Sequence, residues 1–195
     1  MSDIDVADAR RWLAECPGQA DLVLTDPPHL DNFSGAYEHE VFIRQWVPLA
    51  IEALRPGGTL WHSCGATPSE LSNYLRVKTP DQILVWPHEP VRVGDGFWPS
   101  HHWHLVYRLP GAPKLRWLGE TVLAERNGDA LIPLAKPWPL WEAILSTIVD
   151  TGQMIFDPFC GRGEIPHAAR SADRLYRGCD LNEESVAHCR KYLRL

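Results

Sequence analysis

The sequence predicts an α/β domain built on a mostly parallel sheet with helices on both faces. Three observations carry that prediction. Apolar β-rich runs alternate with segments of helical spacing over both ends of the chain. Two of those runs stop at an Asp-Pro turn, Asp26-Pro27-Pro28-His29 early and Asp157-Pro158-Phe159-Cys160-Gly161-Arg162-Gly163 late. The length of 195 residues suffices for one core and leaves little room for a second.

Taken in order, Ile4 to Val6 is a short strand running into Asp8, and Ala9 to Ala14 has helical composition before Pro17-Gly18 stops it. Asp21 to Thr25 is a compact strand, since Pro27-Pro28 cannot continue a central one. From Glu38 to Leu54, the residues Val41, Phe42, Trp46, Leu49, Ala50 and Ala53 recur at helical spacing, and Arg55-Pro56-Gly57-Gly58 ends the segment. Thr59 to Cys64 reads as a strand and Pro68 to Val77 as a helix. Gln82 to Trp86 and His102 to Leu109 are both β-rich with no helical pattern between them, so they form a hairpin-like antiparallel edge. Residues 110–133 are expected to be loop with a short strand around Glu120 to Leu123. Alternation then resumes: helix Trp138 to Val149, strand Met154 to Phe156, helix Ile165 to Ala172, strand Leu175 to Cys179, helix Glu184 to Leu193. No repeat or linker divides the chain, so residues 1–195 are expected to be a single domain.

The net charge of −6 and pI near 5.8 exclude a global basic field of the kind that draws proteins to phosphate backbones. Five cysteines, odd in number and without a CxxC pair, argue against a disulfide framework and for a reducing compartment. The acidic N-terminus lacks an apolar signal core, and no run is long enough to span a bilayer. A cytoplasmic protein with no membrane partner is the expectation. His101, His102 and His104 suggest a metal, but on a strand His101 faces away from the other two and no second ligand pair accompanies them. No metal is expected.

The late turn has the layout of a nucleoside site. Asp157 ends one strand, Gly161 and Gly163 make the bend, and Asp180 ends the next strand about 20 residues on, where a βαβ unit carries its ribose acceptor. The turn is not GxGxxG, and no GxxxxGK[ST] loop exists, so neither a nicotinamide nor a nucleoside triphosphate is indicated. On these residues alone a purely structural βα bend stays open. The early turn suits a planar amino group: two prolines fix φ and withdraw donors, so the Asp26 carboxylate and the Pro27 carbonyl stand outward as acceptors, and His29 can stack on a ring. Here, too, an ordinary strand end remains open.

Together the two turns resemble the amino-directed, S-adenosylmethionine-dependent DNA methyltransferases, in the permuted (beta-class) order whose catalytic half precedes its cofactor half. Leu22 to His29 is similar to that family's DPPY loop and Phe156 to Gly163 to its DPFxGxG loop. Glu52 to Gly58, Lys136-Pro137 and Gly178-Cys179-Asp180 are similar to flanking family segments, and Asp8 matches an acidic position near the cofactor adenine. The resemblance implies a Rossmann-like methyltransferase fold: a mostly parallel seven-stranded sheet with one antiparallel edge strand. It implies S-adenosyl-L-methionine as cofactor and methyl transfer to an exocyclic nucleobase amine, N6 of adenine in DNA before RNA or N4 of cytosine. Asp26, Pro27, Pro28 and His29 would form the catalytic site. Asp8, Lys136, Pro137, Asp157, Pro158, Phe159, Cys160, Gly161, Gly163 and Asp180 would bind the cofactor.

The chain departs from the family at three places. His29 replaces the usual tyrosine, phenylalanine or tryptophan. Glu164 and Ile165 follow the second glycine where small hydroxyl residues are usual. A short insertion, 110–135, stands in place of a full target-recognition region; it holds Lys114, Arg116, Trp117 and Arg126, a basic and aromatic mixture that suits phosphate or a base. A homodimer or a separate recognition partner is therefore expected. The competing expectation is a degenerate binding subunit that supports a partner.

Overall fold

The chain runs β1 (Asp3–Val6), α1 (Ala9–Ala14), β2 (Ala20–Thr25), a 3-10 turn (Leu30–Asn32), α2 (Ala36–Glu52), β3 (Leu54–Cys64), α3 (Pro68–Val77) and β4 (Gln82–Pro87). It continues through β5 (Arg92–Val93), β6 (Gly96–Phe97), β7 (His101–Arg108), α4 (Trp138–Ile148), β8 (Met154–Asp157), α5 (Glu164–Ser171), β9 (Leu175–Asp180) and α6 (Glu183–Leu193). The structure is a computed structural model that describes residues 3–87, 92–93, 96–97, 101–114, 136, 138–148 and 150–193. The expected strand at Glu120 to Leu123, residues Arg116, Trp117 and Arg126, and Pro137 lie outside the described residues.

Seven strands form one sheet in the order β1-β9-β8-β2-β3-β7-β4. β1, β9, β8, β2 and β3 pair parallel, and antiparallel pairing is confined to the β7 side. There β7 runs against both β3 and the edge strand β4, so the reversed strand itself lies one place in from the margin. β5 and β6 pair separately as a two-stranded ribbon.

Alternation along β2 divides the core into two layers. Leu22, Val23 and Leu24 are all fully shielded, as a central parallel strand covered on both faces requires. Leu22 and Leu24 pack with Trp61 and Ile155 and with Trp141, Leu145, Ile165 and Val186 from α4, α5 and α6. Val23 points the other way, into Leu60 and Phe156 and the Trp12, Ile43, Trp46 and Tyr74 side chains of α1, α2 and α3. Burying a side chain of this size contributes about 1.5–3 kcal/mol, so these six helices are held by the sheet more than by propensity.

One boundary differs from expectation. Arg55-Pro56-Gly57-Gly58 does not separate a helix from a strand starting at Thr59. β3 starts at Leu54 and carries those residues as a bulge, because Ala20 pairs Leu54 while Leu22 already pairs Thr59. Asp21 accepts from Arg55 across the bulge (3.1 Å) and holds it to β2. Among the described residues, no helix is long and apolar enough to cross a membrane. No group of three His, Cys, Asp or Glu side chains among them could hold a metal, and His104 of the histidine run turns inward to accept from the Trp61 indole (3.0 Å).

Candidate active site

The parallel strands deliver Asp180, Asp157 and Asp26 to one margin of the sheet, the carboxyl-end crevice where ligands of such sheets sit. Asp26 follows the last residue of β2, and the proline pair after it prevents further pairing. Its side chain is 31% exposed, and Lys136 Nζ donates to both carboxylate oxygens, at 2.6 and 2.7 Å. The Ser63 hydroxyl at the end of β3 also donates to Asp26 Oδ1. Burial alone would raise the Asp26 pKa, but the Lys136 ammonium, His29 and these hydrogen bonds outweigh it and hold the carboxyl well below its usual range.

His29 stands between two opposite demands. Its Nδ1 lies 2.9 Å from Glu70 Oε1, whereas its Nε2 lies 3.3 Å from Lys136 Nζ and 3.5 Å from Asp26 Oδ1. A carboxylate only accepts and an ammonium only donates, so in its neutral form the ring carries its proton on Nδ1 and turns the Nε2 lone pair toward Lys136. Glu70, on the first turn of α3, is almost fully buried and also accepts from the Gly65 (2.6 Å) and Leu30 (3.1 Å) amides. Burial pushes Glu70 up, yet His29 and these amides bring its pKa down to about 2. Gly65 makes the approach possible, because a Cβ there would lie 2.4 Å from Glu70 Oε2.

At the other corner, Gly163 caps α5 with φ +106°, a left-handed conformation that glycine tolerates, and a Cβ there would press on Cys189 Sγ at 3.2 Å. Asp180 accepts from the Gly161 amide (2.9 Å) and from the Asn182 amide (2.9 Å), which fixes the carboxylate at the bend. Asp8 caps α1 and accepts from the Arg10 amide, and the Arg10 guanidinium reaches it at 2.6 Å. That guanidinium hydrogen bond lowers the Asp8 pKa to about 2. Phe159 is seated edge-on against Trp46, with ring centroids 5.4 Å apart.

Both corners open into one cavity of about 660 Å³, within the size range of small-molecule sites. Of the residues expected to act together, Asp8, Asp26, Pro27, Pro28, His29, Pro158, Phe159, Gly161 and Asp180 line it. Asp157, Cys160, Gly163 and Lys136 do not. Asp157 is fully buried and takes hydrogen bonds from Thr25 Oγ1 (2.6 Å), Tyr176 Oη (3.1 Å) and the Phe159 amide (3.2 Å), so it ties three strands together beneath the bend. The Cys160 thiol faces Cys189, 3.8 Å away, away from the cavity. Lys136 belongs to the Asp26 corner, because its ammonium is spent on that carboxylate.

Glu70, Ser63 and Arg10 escape the sequence reading. Thr67-Pro68-Ser69-Glu70 has the spacing of a capping box, in which the glutamate turns back on its own helix start. Thr67 does accept from the Glu70 amide (3.3 Å), but the Glu70 carboxylate leaves for His29. The sequence holds no signal for this departure, because the capping spacing already accounts for the glutamate.

Comparison with known proteins finds similarity in sequence and in fold. The DNA methylase family model, of the N6/N4 type, matches residues 96–191. The chain is similar to the type II methyltransferase M2.DpnII of Streptococcus pneumoniae, with 23% identity over 96% of this chain and 87% of that one. In fold it is similar to the M1.HpyAVI–SAM complex, with a TM-score of 0.80, 18% identity and both chains covered fully. It is also similar to the cytosine-N4-specific PvuII DNA methyltransferase, with a TM-score of 0.79 and 16% identity over all of this chain and 86% of that one.

Proposed function

We infer that the chain belongs to this DNA methylase family and is an S-adenosylmethionine-dependent methyltransferase of exocyclic amino groups in DNA, with N6 of adenine the favoured acceptor. The single observation that carries the reading is the shared cavity: the carboxylate suited to an amine and the carboxylate suited to a ribose open into the same space. The order of the two corners along the chain, amine end first, fits the permuted class.

The lining fits the cofactor chemically. Phe159, Phe42 and Leu181 offer apolar surface for a flat ring, and Asp8 and Asp180 offer acceptors for hydroxyls and an amine. Asp31 adds negative charge suited to a sulfonium cation. S-adenosylmethionine, when bound, supplies an electrophilic methyl group. The protein's part is positioning and electrostatics. Asp26 and the Pro27 carbonyl orient the amine and oppose the positive charge that grows on its nitrogen, while Pro28 fixes the turn. The Asp at the head of this turn, in place of serine, favours adenine. The interval 110–135 is too short for a full target-recognition region, so target choice is assigned to a second copy or a separate recognition partner.

A second reading has one observation in its favour. Lys136 already donates to both oxygens of Asp26, so an incoming amine must share that carboxylate. A binding subunit with a closed chemical corner would look the same. Calorimetry with S-adenosylmethionine, followed by transfer of a tritiated methyl group to unmethylated genomic DNA, separates the two. Binding with transfer is the expected result, and binding without transfer to DNA overturns the enzyme. Asp26→Ala is expected to lower turnover by at least about a hundredfold while cofactor affinity changes less than about threefold; parallel loss of both would refute the division of roles.

A further inference from the structure

We propose that His29 and Glu70 form a proton-accepting dyad, in which His29 Nε2 receives the proton that the amine sheds on methylation and Glu70 positions and stabilises the resulting imidazolium. The proposal rests on the methyltransferase reading above and goes beyond it, since that reading gives His29 no part in the chemistry and the sequence alone suggests only that it stacks on a ring.

Three features point to this role. The imidazole presents an edge nitrogen to the reacting corner, since Nε2 lies 3.5 Å from Asp26 Oδ1, while the ring as a whole sits against His102 (centroids 5.7 Å apart, planes 40° apart). The side chain is a quarter exposed and lines the cavity, so it is within reach of a ligand. Glu70 behind it is buried, bound by two amides and aimed at Nδ1, the arrangement by which a carboxylate fixes a catalytic imidazole in the tautomer whose other nitrogen can take a proton.

Charge balance gives the dyad a purpose. Lys136 neutralises Asp26, which leaves that carboxylate a weaker partner for a nitrogen gaining positive charge. The groups facing His29 are Asp26 from the end of β2, Glu70 from α3, Lys136, and His102 from β7. With Lys136 set against Asp26, Glu70 supplies the remaining negative charge. In the step itself, the amine lone pair forms the N–C bond as the C–S bond breaks and its electron pair stays on sulfur, giving a neutral thioether. The nitrogen, now cationic, passes one N–H proton to Nε2. The imidazolium then releases that proton to solvent, and the methylated amine leaves neutral.

The test uses single-turnover methyl transfer to unmethylated genomic DNA across pH. The wild-type chain is expected to lose rate on the acidic side with a one-proton limb, because a protonated His29 can neither accept nor sit harmlessly beside a developing cation. His29→Tyr, which restores the usual family aromatic, is expected to keep transfer at a rate about ten- to a hundredfold lower and to lose the limb. Glu70→Gln is expected to shift the limb to lower pH, since the imidazolium loses its counter-charge. Nitrogen-15 imidazole spectra of the resting protein, assigned with His29→Tyr, give a readout free of turnover and are expected to find the Nδ1–H form at His29. Superimposable pH profiles for wild type and His29→Tyr, or an Nε2–H ring in the spectra, overturn the dyad while the methyltransferase reading stands. No transfer by the wild-type chain to any DNA overturns that reading and the dyad with it.

Discussion

Asp157→Asn should remove a pH-dependent penalty from folding. Asp157 is fully buried, and burial, only partly offset by donors from Thr25, Phe159 and Tyr176, raises its pKa from 3.8 to about 7. A carboxyl whose folded pKa lies above its unfolded one favours the fold most below the unfolded value, and that contribution is lost as pH rises through the folded value. The window therefore runs from about pH 4 to about pH 7. At about 1.4 kcal/mol for each tenfold change in proton affinity, the rise from 3.8 to about 7 corresponds to about 4 kcal/mol. His62 and His104, buried and held down to about 4 and about 3, act in the opposite direction over part of this range, so wild-type stability alone is not diagnostic. The informative quantity is the difference between wild type and Asp157→Asn in urea denaturation midpoints, at constant m, from pH 4 to pH 8. That difference should move by about 4 kcal/mol in favour of the asparagine as pH rises. A constant difference would refute the claim that this carboxyl is carried buried and partly protonated.

Two further perturbations examine the cofactor corner. Gly163→Ala should destabilise the fold by about 1–3 kcal/mol in the same denaturation assay, because alanine must adopt φ +106° and meet Cys189 Sγ; adding Cys189→Ala should relieve the contact part of that loss but not the backbone part. Asp180→Asn should weaken S-adenosylmethionine binding by about tenfold in calorimetry while the melting temperature changes by only a few degrees, and unchanged affinity would remove Asp180 from the ribose site.

The early and late turns were legible because each breaks a strand with residues that have few other uses there. Asp26, the proline pair, Gly161 and Asp180 all reach the cavity as those motifs suggest. What stayed hidden depends on direction, which sequence spacing does not encode. Lys136 is visible in the chain, but nothing in Lys-Pro says that its ammonium reaches across to Asp26 instead of the nucleoside corner. Asp157 shares its Asp-Pro signature with Asp26, yet one points into the cavity and the other into Thr25 and Tyr176. Glu70 was masked by a local pattern that already accounted for it, and Arg55 to Gly58 by turn residues that a bulged strand also accommodates.

The strand that leads into Asp26 has three strands on either side of it. The Asp26 carboxylate is thus mounted at the hub of the sheet, as far as its order allows from either rim. Fraying that begins at β1 or at β4 has to cross two intervening strands before it disturbs that position. Warming should therefore leave the geometry around Asp26 intact until the whole sheet gives way, so that loss of chemistry and loss of fold arrive together.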